Sequence, residues 1–154
     1  MNTFRPLRVS FLVDGGVERL CAEPVRGWPS SGQLRILNAP FFAYGVSWGD
    51  VVSVGARDEA GSFPFLEVVR HSGHSTYRIF SELDAEESRL REAWAPLERQ
   101  GCTFEAAGPS LQGLLAVDVP SEVDIFTVER LLRAGSRTRL WEFEEGHCAH
   151  HREN

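Results

Sequence analysis

The stretch TYRIFSELDAEESRLREAWAPLERQG, Thr76–Gly101, decides the fold class. Its opening, TYRIF, alternates side chains as a strand does. The period then changes: Leu83, Leu90, Trp94 and Leu97 gather on one face of a helix that Gly101 should end. Pro96 lies inside this run and is expected to kink the last turn or stop the regular helix early. Downstream, TFEAAG and GLLAVDVP read as strands joined through Pro109–Gln112. Ser121 is placed to cap a second helix, Glu122–Ala134, with Asp124 as a shortened capping-box acid and Gly135 as its stop. Ile125, Phe126, Val128, Leu131 and Leu132 would form its buried face. TRLWEFEE is the closing strand. The order strand, helix, strand, strand, helix, strand is the split βαβ pattern of ferredoxin-like folds, and right-handed crossovers would set both helices on one face of the sheet.

Upstream the grammar differs. LRVSFLV, VERLCAEPV, QLRILN, DVVSVGAR and FPFLEVV are short alternating runs, separated by Asp14-Gly15-Gly16, Gly27–Gly32 and Asp58–Gly61. Strands without a helix between them favour a small barrel, because closure removes exposed edges. The expected architecture is therefore α+β: a small five-stranded β-barrel-like module, residues 1–73, packed on a ferredoxin-like βαββαβ module, residues 74–147, with a flexible tail at 148–154.

Composition removes several function classes. All basic residues are arginine, sixteen of them, so chemistry that needs a lysine ammonium (a Walker-type phosphate loop, a Schiff base, a pyridoxal-phosphate anchor) is excluded. A net charge of −6 opposes unspecific nucleic-acid binding and suits basic partners. No window approaches the roughly 18 apolar residues of a membrane helix. The N-terminus lacks the pattern of a secretory signal, so a cytoplasmic location is expected. Cys21, Cys102 and Cys148 are scattered and form no C-x-x-C pair, which argues against a disulfide framework or a cysteine zinc site.

The run LNAPFFAYGVSWGDVV, followed by VVRHSGHSTYRIF, resembles a bacterial family known as a domain of unknown function. The similar features are the Asn38-Ala39-Pro40-Phe41-Phe42 turn, the Gly49-Asp50-Val51-Val52 strand start and Ser72-Gly73-His74-Ser75-Thr76. The resemblance covers most of the chain and implies the architecture above, with no established activity.

Chemistry-bearing residues concentrate at the seam between the modules. Asp50, His74 and Ser72 or Ser75 could serve as acid, base and nucleophile. His74 and Ser75 alternate across a strand, which leaves Ser72 as the better partner, and no strand-to-helix nucleophile elbow precedes it. The competing reading makes RHSGHSTYRIF a joint in which hydroxyls and His74 satisfy backbone groups. Phe41, Phe42, Tyr44 and Trp48 either plug the barrel mouth or, with Arg70, His74 and Arg78, line a binding groove. His147, Cys148, His150 and His151 read as a solvated terminus rather than a structural metal site, so no metal and no cofactor is expected. The function expected is a non-catalytic binding protein acting on a protein partner, of antitoxin or toxin-immunity type, with no nucleic acid or membrane partner. A small-molecule sensor and a small hydrolase built on Ser72, His74 and Asp50 are the alternatives. Oligomeric state is not encoded in any of these patterns.

Overall fold

Alternating short runs in the first half form strands β1 (Leu7–Val13), β2 (Gly16–Pro24), β3 (Gln33–Ile36), β4 (Val51–Val54) and β5 (Phe63–Arg70). Residues 6–150 are described in this structure, a computed structural model. Neighbours pair antiparallel from β1 through to β5, and a short parallel pairing, Val9 with Phe63 and Ser10 with Pro64, brings β5 back to β1 and completes a ring. Val9, Leu20, Leu34, Ile36 and Val52 fill its interior.

The second half supplies β6 (Ser75–Ser81), α1 (Glu87–Gln100), β7 (Thr103–Ala106), β8 (Gly113–Val119), α2 (Ile125–Arg137) and β9 (Glu142–His147). The strands make an antiparallel sheet in the order β7-β8-β6-β9. Tyr77, Ile79, Leu115 and Val117 point from one face of that sheet into a core shared with Leu90, Trp94 and Leu97 of α1 and with Val128 and Leu132 of α2. The chain is thus mixed α+β, with a five-stranded and a four-stranded sheet.

Several local expectations change. Helix α1 begins at Glu87, so Leu83 lies outside it and is exposed. Pro96 neither ends nor shortens the helix, which runs to Gln100 and stops at Gly101 in the left-handed region, φ 109°. Burial of Trp94 and Leu97 on either side of the proline offsets the lost backbone donor. Helix α2 is capped by Asp124, not Ser121: the Asp124 carboxylate accepts from the Phe126 amide and from the Thr127 hydroxyl. Gly135 is a packing residue inside α2 rather than its stop, because a Cβ there would meet the Trp141 indole at 2.1 Å. Phe126 is exposed and Leu131 only half-buried. The last strand starts later than TRLWEFEE implied, since Thr138–Leu140 close the helix end and Trp141 turns into the core, donating to the Leu132 carbonyl at 2.9 Å.

The β3–β4 connection, residues 37–50, crosses to the sheet face that the helices leave uncovered. The Gly45 amide donates to the Gly146 carbonyl, and the Thr76 hydroxyl donates to Ser47 Oγ at 2.7 Å.

Candidate functional site

Two buried charges of opposite sign hold the β3–β4 loop. From β2 of the five-stranded sheet, Glu18 accepts the amides of Phe41, Phe42 and Ala43 at 2.6, 3.1 and 2.9 Å. From the sheet side, the Arg78 guanidinium donates to the carbonyls of Pro40, Phe42 and Ala43 and to the Glu144 carboxylate. The peptide dipoles between them therefore point from cation to anion. Arg78 is 2% exposed, and its guanidinium also lies 4.5 Å over the Tyr44 ring. It is a structural clamp, which corrects the expectation that it grips a ligand. Burial pushes the Glu144 carboxyl up, but hydrogen bonds from Arg78 and Tyr44 and the Arg78 charge outweigh this and hold it below its ordinary value.

The aromatic loop also differs from a simple plug. Ala43 and Val46 enter the core of the five-stranded sheet, while Phe42, Tyr44 and Trp48 remain exposed and Phe41 is half-buried. Arg70 is exposed at the end of β5, where its backbone pairs with Val51.

At the seam, the three members of the expected triad do not come together as one. Asp50 is fully buried and accepts the Ser47 and Ser72 amides at 2.9 and 2.8 Å; its histidine neighbour is His71, 3.2 Å away, not His74. Ser72 Oγ donates to the Trp48 carbonyl at 2.7 Å and accepts the His74 amide, so its proton is committed to the backbone. Ser75, fully buried, lies 2.6 Å from His150 Nδ1 and accepts the Ala149 amide, and His150 Nε2 lies 2.9 Å from the Pro120 carbonyl. Residues 148–150, expected to begin a flexible tail, are tied to β6 in this way; residue 151 and beyond lie outside the described residues. Gly49 and Gly73 have left-handed backbones, φ 85° and 93°, and a Cβ on either would come within 3.0 Å of Ser72 or Ser121. Such chain crossing explains two glycines of the motif.

His74 instead joins Asp118, with Nδ1 at 2.9 and 3.0 Å from the two carboxylate oxygens. The pair lines a cleft of about 370 Å³ between the β3–β4 loop and the open sheet face, together with Trp48, Ala39, Phe104 and Glu105. The Trp48 ring stands 4.8 Å from the His74 ring. Asn38 bridges β2 and β7 at the edge of the cleft, accepting the Cys21 amide and donating to Glu105. Burial raises the Asp118 carboxyl above its ordinary value, opposed by the hydrogen bond and charge of His74. A larger groove, about 690 Å³, lies beside Phe80 and Trp141; there Arg139 accompanies Glu82 and Glu142, so both signs of charge line it.

A second cluster sits nearby. Asp50, His71 and His147 bring one potential metal-ligating atom each to within 4.8 Å of one another. The His71 and His147 rings stack at 4.6 Å, and His147 Nε2 is buried without a hydrogen-bond partner among the described residues. Burial and the neighbouring His71 lower the His147 pKa, against Asp50 and Glu145.

Sequence reasoning missed Asp118, His71 and Glu18, and grouped His147 with the terminal Cys148, His150 and His151 rather than with His71. A carboxylate within the otherwise apolar GLLAVDVP was a usable signal for Asp118, since a buried strand rarely carries a charge without a partner.

No helix among the described residues is long and apolar enough to cross a membrane. Comparison with curated proteins gives no match. Among solved structures the chain is similar to a hypothetical protein from Neisseria gonorrhoeae, with a TM-score of 0.74 and 17% identity over 98% of this chain and 100% of that one. The likeness is one of fold. The sequence model of the family described as "Domain of unknown function (DUF4265)" matches residues 18–143, from Glu18 in β2 to Phe143 in β9, and the protein belongs to that family.

Proposed function

We propose that the protein is a non-catalytic binding protein whose cleft at Trp48, His74, Glu105 and Asp118 receives a cationic group, such as an arginine or lysine side chain presented by a basic protein partner. The observation that carries this reading is the cleft that sets the partly buried Asp118 carboxyl, paired with His74, near the exposed Trp48 indole. A partly buried acid favours its neutral form, and a cation entering the cleft would stabilise the ionised one while stacking on Trp48. The net charge of −6 would steer such a partner toward the surface, as antitoxin or toxin-immunity proteins require. The commitment of the Ser72 proton to Trp48 favours binding over hydrolysis. The ring of β1–β5 supports reading residues 1–73 as a small barrel. The order β7-β8-β6-β9 supports reading residues 74–147 as a ferredoxin-like module, with the cleft where the two meet.

Titration with an arginine-rich peptide, followed by Trp48 fluorescence and calorimetry, tests the proposal. Affinity should rise as pH increases through the raised Asp118 pKa and fall about tenfold or more in Asp118→Asn, a loss of roughly 1.4 kcal/mol or more. Peptide affinity unchanged in both Asp118→Asn and Trp48→Ala would exclude the cleft as the binding site. Saturation by free argininamide as tight as by the peptide would favour a small-molecule sensor instead.

A further inference from the structure

Asp50 immediately precedes β4, His71 immediately follows β5 and His147 ends β9, so three segments remote in sequence converge at the seam. We propose that Asp50, His71 and His147 form a divalent transition-metal site, suited best to Zn²⁺, that clips the strand ring to the four-stranded sheet.

The donor set is two imidazoles and one carboxylate, which suits zinc and its neighbours in the first transition row rather than the all-oxygen preference of Mg²⁺ or Ca²⁺. Bonds of about 2.0–2.1 Å to nitrogen and oxygen imply a ligand-to-ligand edge of roughly 3.3 Å in a tetrahedron. His71 Nδ1 and Asp50 Oδ2 stand 3.2 Å apart, close to that edge. No ligand atom is more than 4.8 Å from another, so small side-chain rotations would close the rest of the figure.

Orientation is already supplied. The Ser47 and Ser72 amides fix the Asp50 carboxylate, as outer hydrogen bonds do in built metal sites. His147 Nε2 is a buried acceptor or donor with no hydrogen-bond partner among the described residues, and such an atom is costly unless something fills the role. Coordination would use its lone pair. At His71 the ligating form is the neutral Nε2–H tautomer, which turns the Nδ1 lone pair toward the ion and Asp50. The His71 side chain is 48% exposed, which leaves a fourth position open to water. Because the ligands come from both sheets, the ion would act as a cross-link between them.

The test uses the full-length protein after chelator treatment, titrated with Co²⁺ and read by its visible d–d bands, with Zn²⁺ as competitor. Expected are equimolar Co²⁺ uptake, displacement by Zn²⁺ and a higher Tm with Zn²⁺. His71→Ala should weaken Co²⁺ affinity by about a hundredfold or more, beyond the range seen for outer-shell changes. Its metal-free melting should stay near wild type because His71 is half exposed, whereas the buried Asp50 is a poorer probe. The double variant Cys148→Ala/His151→Ala should keep the site. Absence of equimolar uptake in the wild type would overturn the proposal. So would uptake that survives His71→Ala and His147→Ala yet disappears in the Cys148/His151 variant, which would assign the metal to the C-terminal HCAHH.

Discussion

The two faces of the four-stranded sheet are covered by different physics. On one, Tyr77, Ile79, Leu115 and Val117 meet the apolar stripes of α1 and α2, and the contact is non-directional burial. On the other, Arg78 and Thr76 meet a loop through aimed hydrogen bonds, with Gly146 left bare because a Cβ there would lie 2.7 Å from the Arg78 guanidinium. Each arrangement excludes water, yet they fail differently. An apolar face loses stability in proportion to volume removed, whereas a polar one loses it whenever a desolvated group is left without its partner.

The sharpest way to break this contrast is Arg78→Ala, which would strand three loop carbonyls while the half-exposed Glu144 carboxylate keeps the Tyr44 hydroxyl and water. A loss of about 3–5 kcal/mol is expected in denaturant melts. Arg78→Lys should recover little, since an ammonium cannot reproduce the planar fork. A cost for Arg78→Ala below about 1 kcal/mol would mean that water readily replaces the guanidinium, and the loop-covered face would be no more demanding than ordinary surface.

Next come paired truncations in α2. Leu132→Ala, fully buried, should cost about 2–5 kcal/mol. Phe126→Ala, at an exposed position, should stay within about 0.5 kcal/mol. Equal effects from the two would remove the claim that the helix-covered face is a single apolar stripe.

The smallest expected effect is an acid limb. The Glu144 carboxyl is held below its ordinary value of 4.5, so its contribution is present above the unfolded pKa and is lost as pH falls through the lower folded one. With the Glu144 side chain 52% exposed, solvent screening keeps that contribution small. Glu144→Gln should therefore lower stability slightly at neutral pH, converge with the wild type in acid, and so flatten stability against pH below about 4.5. An identical acid limb in the variant would show that Arg78 is held by the loop carbonyls alone.

Legibility followed the same divide. Leu90, Trp94 and Leu97 recur at helical spacing, and Gly101 marks the stop, so α1 could be located without coordinates although its start could not. Leu83 misled because it continues the apolar tally into a separate turn, closed by the Ala85 amide on the Glu82 carbonyl, that ends before the helix begins at Glu87. At the seam the residue types were visible and their partners were not. The sequence offers His74 as the partner of Asp50, but the fold gives it His71, while His74 finds Asp118 from a strand 44 residues away.

By itself the sequence determined the α+β class, the element order and the absence of lysine chemistry, because periodicity, turn residues and composition are local properties of the chain. Only tertiary structure decided that Glu18 and Arg78 grip one loop from opposite sides, that Asp118 rather than Asp50 faces His74, and that His147 at the end of β9 stands beside His71. Hydrogen bonds and ion pairs between distant segments carry no period. Which donor meets which acceptor follows from how the sheets pack, and that packing is driven by apolar residues elsewhere.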